Sequence, residues 1–218
     1  MKTFKFDSKI KELGTLPDFT DEQIKNEPML FNCDFVSAYH LGGAITKSFL
    51  NKVEKRFHSI DDLVIDSRVH MLMPGWFPCI PGFHHDDVPR SGRDGQPNYF
   101  NPEYKSEHIL ALVNGDICPT EFALGEIELP DVEDGIYYKQ WHPMVEQAIE
   151  NGTLKSRQPK GNAVVYFDWQ TFHQGVRAVK NGWRWFGRLS WNTDRTKKCT
   201  NEIRKQVQIY LEHPMEGW

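Results

Sequence analysis

Only four cysteines occur in the 218 residues, Cys33, Cys79, Cys118 and Cys199, and no two are close enough for a C-x-x-C motif. That spacing excludes the common cysteine-based zinc and dithiol patterns. Scattered thiols predict free cysteines in a reducing compartment. No apolar run approaches the ~18 residues of a membrane span. The opening stretch, MKTFKFDSKIKELGTLPDF, lacks the apolar segment of a secretory signal. The expectation is a cytoplasmic protein with no membrane partner. There is no internal repeat and no low-complexity linker. A basic excess is missing too: 26 Lys and Arg stand against 30 Asp and Glu, for a net charge of −4. This disfavours sequence-independent nucleic-acid binding without excluding a local basic patch.

What is present is a well-supplied core. Hydrophobic residues make up 39% and aromatic residues 13% of the chain, which argues against disorder and for a packed body. One domain spanning 1–218 is expected. Residues 1–60 read as helical N-terminal support. Ile45, Phe49, Val53 and Phe57 recur every four residues as a helix stripe after the Gly42-Gly43 turn. From 63 to 191 short β-branched and aromatic runs alternate with Gly, Pro, Asn and Asp, as strands do. An insert at 130–160 carries a short helix at 143–150 with Pro143 in its first turn. At 200–212, Ile203, Val207, Tyr210 and Leu211 predict a C-terminal helix capped by Thr200. The fold class expected is mainly β with flanking helices, a barrel or sandwich buttressed by helices.

Chemistry-bearing residues concentrate in CIPGFHHDDVPR, 79–90. Residues two apart in a strand share a face, so His84 with Asp86, or His85 with Asp87, can offer an imidazole nitrogen and a carboxylate oxygen together. A third ligand would complete a facial triad suited to iron(II). His173, in GNAVVYFDWQTFHQG (161–175), is the candidate. In WRWFGRLSW (183–191) alternation puts Arg184, Phe186, Arg188 and Ser190 on one face and Trp183, Trp185, Leu189 and Trp191 on the other. An inward guanidinium needs an anion. An internal salt bridge or a bound dicarboxylate would each serve Arg188.

The set His84-x-Asp86, His173 and Arg188-x-Ser190 resembles the iron(II)/2-oxoglutarate oxygenase superfamily. PTEFALG (119–125) and the approach to His173 resemble two further phrases of that family, so the likeness spans about 70–191. Phe83 before His84 is similar to the family's aromatic-His-x-Asp wording and favours His84/Asp86. The doubled HHDD and the missing Pro-Gly-Ser-His turn depart from the pattern.

The resemblance implies a double-stranded β-helix, a jelly-roll of the cupin-like barrel kind. It implies metal at His84, Asp86 and His173, which are also the catalytic set, with 2-oxoglutarate bound by Arg188 and Ser190. The cofactors implied are Fe(II), 2-oxoglutarate as cosubstrate and O2. The Arg-x-Ser ending is similar both to small-molecule hydroxylases of the phytanoyl-CoA-hydroxylase kind and to nucleobase dioxygenases acting on DNA. A small molecule or peptide side chain is the expected substrate. The alternatives are a nucleobase in DNA, a non-catalytic cupin-like binding protein, and a zinc hydrolase using the same triad. Arg184 is the alternative anchor for 2-oxoglutarate. Arg90, Arg93, Tyr99 and Tyr104, in the polar stretch 88–107, are candidates to touch substrate. His40, His58, His70, His108, His142 and His213 belong to no motif and read as surface or structural.

Overall fold

Period-two alternation puts more of this chain into strands than into helices. The computed structural model describes residues 2–56, 61–92, 95–101, 103, 105–132 and 136–211. The strands are β1 (Thr3–Ser8), β2 (Ile10–Thr15), β3 (Met29–Phe31), β4 (Cys33–Asp34), β5 (Val64–Leu72), β6 (Glu107–Val113), β7 (Thr120–Pro130), β8 (Lys155–Arg157), β9 (Ala163–Asp168), β10 (Phe172–Gly175), β11 (Gly182–Trp191) and β12 (Glu202–Arg204). The helices are α1 (Asp21–Lys25), α2 (Phe35–Leu41), α3 (Ala44–Val53) and α4 (Tyr137–Glu150). No helix among the described residues is long and apolar enough to cross a membrane.

The larger sheet runs β2-β9-β6-β11-β5-β4; the smaller joins β1, β7 and β10, with β8 also on β7. Their ladders are antiparallel. Apolar side chains from both sheets meet between them: Leu110, Leu112, Val165 and Phe167 from the larger and Phe122 from the smaller. The outer face of the larger sheet, with Ile65, Ile109, Trp185 and Leu189, packs under Ile45, Phe49, Leu50 and Val53 of α3. Trp141 and Val145 of α4 pack with Phe6, Phe83 and Phe172 on the smaller sheet's side. The molecule is thus mainly antiparallel β with flanking helices. Both sheets are open among the described residues, and neither closes into a barrel.

Three expectations need correction. Residues 1–60 are not solely helical support. The alternation TFKFDSKIKEL forms β1 on the smaller sheet and β2 on the larger, so one strand pair clamps both sheets. Pro143 lies in the interior of α4, which begins at Tyr137 because Tyr137, Tyr138 and Trp141 bury against the sheet. The C-terminal helix is not formed within the described residues 200–211. Asn201 takes a left-handed φ of 55°, which interrupts a helix at once, and Glu202–Arg204 pair with Met29–Phe31 instead. The α3 stripe holds at Ile45, Phe49 and Val53; Phe57 lies outside the described residues. Gly43 has no side chain to cap α3. The Glu27 carboxylate substitutes, accepting from the backbone N–H of Gly43, Ile45 and Thr46 at 2.9, 3.1 and 2.9 Å.

Candidate metal centre

His173 lies inside β10, and the segment carrying His84 is attached to it by a single rung. The backbone N–H of His84 donates to the His173 carbonyl at 3.0 Å, and the reverse bond is 3.1 Å. This bridge supplies the extended register that puts Asp86 on the same side as His84. It also brings the two imidazoles to 4.6 Å between centroids. One ligand atom from each of His84, Asp86 and His173 lies within 4.8 Å of the others.

The tautomers suit a cation. His84 Nδ1 contacts the Gly82 carbonyl at 2.8 Å and His173 Nδ1 the Thr171 carbonyl at 3.1 Å. Each ring in its neutral form then carries its hydrogen on Nδ1 and turns the Nε2 lone pair inward. The two Nε2 atoms face Asp86, at 3.9 Å for His84 and 3.1 Å for His173. Burial first, and His173 second, depress the His84 pKa to about 3. Burial alone would raise the pKa of Asp86. Arg188 and His173 outweigh it and hold this carboxyl well below the usual range. One imidazole nitrogen from each histidine and one carboxylate oxygen therefore converge, a donor set suited to a metal cation.

His85 and Asp87 face elsewhere. The His85 ring packs between Phe172 and Phe6, at 3.9 and 4.8 Å between centroids. Its Nδ1 is hydrogen-bonded to the Tyr99 hydroxyl at 2.9 Å. Asp87 has φ 54° and meets Arg195 at 3.2 Å. Phe83 is buried, and its backbone N–H donates to His142 Nδ1 at 3.2 Å, which fixes the approach to His84.

Arg188 does reach the site, but three aspartates occupy it. Its Nη1 is ion-paired with Asp86, and its Nη2 lies 3.2 Å from Asp66 and 3.6 Å from Asp87. Asp66 is shared with Arg195 at 2.6 Å. Burial would lower the pKa of Arg188; these carboxylates reverse the effect and raise it. Ser190 is fully buried, and its hydroxyl is hydrogen-bonded to His108 Nδ1 at 2.8 Å. His108 Nε2 in turn contacts the Ser106 hydroxyl at 3.2 Å. The Arg188-x-Ser190 pair expected to hold 2-oxoglutarate thus splits between an ion-pair network and a buried hydroxyl. The physical reason is Asp66, which stands opposite Arg188 in the β5–β11 register.

Arg184 is different. It is 2% exposed, stands opposite His70, and its Nε has no hydrogen-bond partner among the described residues. No acidic side chain among the described residues pairs with it; the groups that favour its charge are Cys118 and Cys79. Burial, then Arg184, depresses the His70 pKa to about 3, so His70 leaves that charge unanswered. Arg184, His70, Arg188, Phe186 and the three candidate ligands line one cavity of about 740 Å³. Residues 204 and 206–208, with Tyr210, border it.

Sequence reasoning missed Asp66, Arg68 and His70 of β5 as cavity residues, although polar residues at alternate positions of an otherwise apolar strand are a readable signal. Of the 88–107 candidates, Tyr99 packs at 4.8 Å between centroids on Trp141. Arg90 lines a separate groove that shares Asp86 and Asp87. Arg93 and Tyr104 lie outside the described residues, as do His58 and His213. His40 is exposed, whereas His70, His108 and His142 are buried.

Comparison with protein-family models and with curated proteins gave no match. Among solved structures, apo HygX from Streptomyces hygroscopicus overlaps 88% of this chain and 82% of that chain at 8% identity and a TM-score of 0.40. HygX with iron bound overlaps the same shares at 8% identity and a TM-score of 0.36. Overlaps of this quality do not establish a common fold.

Proposed function

We propose that this chain is a non-haem iron(II) oxygenase that uses 2-oxoglutarate to hydroxylate a small molecule or a peptide side chain, on a double-stranded β-helix. His84, Asp86 and His173 would hold the iron. The observation that carries the reading is the convergence of two Nε2 atoms and one ionised carboxylate on one side of a cavity that also contains an unmatched buried guanidinium, Arg184.

When bound, iron(II) would supply oxygen activation coupled to decarboxylation of 2-oxoglutarate, with one oxygen atom entering succinate and the other the substrate. The protein's work is orientation and exclusion of water. The Gly82 and Thr171 carbonyls fix the imidazole tautomers. Arg188 steadies the Asp86 carboxylate and keeps it ionised, so its role is positioning. Arg184 is the better anchor for the distal carboxylate of 2-oxoglutarate, because Arg188 is already neutralised and Ser190 is turned to His108. The neutral His70 beside Arg184 would complete the seat. A zinc hydrolase would leave Arg184 without a role, and so would a non-catalytic cupin-like protein. The reading includes a cytoplasmic, reducing location, supported by four cysteines that are all free.

The test is equilibrium binding of 2-oxoglutarate to protein loaded with Mn(II) as a redox-silent substitute. Arg184→Ala should weaken binding by about 2–3 kcal/mol, the scale of a lost charge-assisted pair. Arg188→Ala should act mainly on the metal, weakening it about 10–100-fold as loss of a ligand-orienting partner does. Undiminished 2-oxoglutarate affinity in Arg184→Ala would return the anchor to Arg188 and contradict the assignment made here.

A further inference from the structure

Five guanidiniums and three carboxylates line the 740 Å³ cavity. Arg188 and Arg195 are matched by Asp66, Asp86 and Asp87. Arg184 is assigned to the cosubstrate. Arg68 and Arg204 are left over. Both sit on one phenyl ring, with guanidinium carbons 5.5 and 3.5 Å from the Phe31 centroid. Neither has an acidic partner among the described residues. Arg68 spends Nη1 on the carbonyls of Leu30 and Ser67, at 3.1 and 2.6 Å; no acceptor among the described residues takes its remaining N–H groups. Burial acts most against the charge of Arg68, Asp66 favours it, and Arg204 opposes it. Holding two like charges this close costs energy unless an anion joins them.

The placement is chemically specific. Arg68 lies opposite Phe186 on β5, one side-chain row from the Arg184–His70 pair and one row from Arg188–Asp66. Such rows are about 7 Å apart along a strand. Arg68 therefore stands between the proposed cosubstrate seat and the Arg188–Asp66 pair, and Arg204 lies on β12 where that strand meets β3. Stacking on Phe31 uses the guanidinium faces and leaves their N–H edges for an oxyanion. Gln206, Gln208 and Tyr210 line the same cavity and carry groups able to hydrogen-bond.

We infer that Arg68, Phe31 and Arg204 form a binding site for an oxyanion group of the prime substrate, a phosphate ester or a carboxylate on a small molecule whose uncharged part reaches the metal. This rests on the oxygenase reading for the word substrate; the oxyanion site itself does not.

The experiment titrates the full-length, metal-free protein with phenyl phosphate and, separately, with benzoate, by calorimetry. Saturable, salt-sensitive binding of at least one probe is expected. Arg204→Glu should weaken it about tenfold or more, as expected when one of two charge-assisted contacts is reversed. Arg204 is exposed, so this variant tests the site without disturbing the core. Arg68→Lys keeps the charge but loses the fork, and a smaller loss is expected. The tighter probe identifies the group, phosphate ester or carboxylate. Equal affinities in wild type and Arg204→Glu, or no saturable binding of either probe, would overturn the inference. The Mn(II)/2-oxoglutarate titration is run beside it on the same variants. Its failure with the oxyanion site intact would sink the oxygenase reading alone; normal 2-oxoglutarate binding without an oxyanion site would sink this inference alone.

Discussion

At His84 and His173 the main chain decides which ring nitrogen is offered, because Nδ1 in each case is taken by a carbonyl two residues back. The same logic of paired polar atoms governs His108. Its two nitrogens are satisfied by the Ser190 and Ser106 hydroxyls, and burial depresses its pKa to about 4 from the ordinary 6.5. A neutral ring in the fold sets the sign of the pH effect. As pH falls below about 6.5 the unfolded chain takes up the proton first, so this contribution is complete above that value and is lost as pH falls towards 4. Denaturant titrations of metal-free protein across that window should show His108→Gln losing less stability on acidification than wild type, by about 3 kcal/mol over the full range. Parallel pH profiles would contradict the neutral, doubly bonded ring. The residue scale also shows the limits of reading sequence. The grouping of His84, Asp86 and His173 was visible because Phe83 and the two-residue spacing announced it. The fate of Arg188 was not, because its partner Asp66 is 122 positions away and only the β5–β11 register brings them together.

Elements were legible where their period was undisturbed. Strands β5, β6, β7, β9 and β11 fall where alternation and apolar runs put them, and the two faces of β11 divide as expected between the cavity and α3. Trp185 shows how tight that division is, since its ring lies over Gly187, where any added Cβ would overlap it. Gly187→Ala should destabilise the protein by about 1–3 kcal/mol, the usual cost of overpacking, read as a lower denaturation midpoint at unchanged m-value. A variant as stable as wild type would show that the ring can move aside freely. Elements were misread where tertiary pairing overrode local pattern. Residues 200–211 have a helical spacing of apolar positions, yet Ile203 is 49% and Leu211 65% exposed, so that stripe has no core to face. The edge of β3 offers backbone partners instead. Tyr210 is similarly held by a bridge to Phe77, with bonds of 2.9 and 3.1 Å, and this lays the segment along the cavity.

For the whole molecule, the two facing sheets and their helical covers followed from composition and strand pattern, whereas the strand pair that ties both sheets together at residues 3–15 did not stand out among polar neighbours. Charge distribution shapes the choice of partner. The net charge of −4 gives no long-range attraction to a polyanion, while three guanidiniums without an ion-pair partner among the described residues, Arg68, Arg184 and Arg204, line one cavity suited to a small oxyanion. Duplex DNA should therefore bind weakly. Submicromolar, steeply salt-dependent affinity near physiological ionic strength would move a nucleobase substrate to first place. The oxygenase reading itself is tested most directly by succinate release from 2-oxoglutarate in air with Fe(II), which proceeds slowly in such chemistry even without the prime substrate. Wild-type protein should release succinate in an iron-dependent manner, and His173→Ala, folded by circular dichroism, should release none above the iron-only control. Absence of iron-dependent succinate from the wild type, or equal release by His173→Ala, would contradict the assignment of His84, Asp86 and His173 as the centre of an oxygenase.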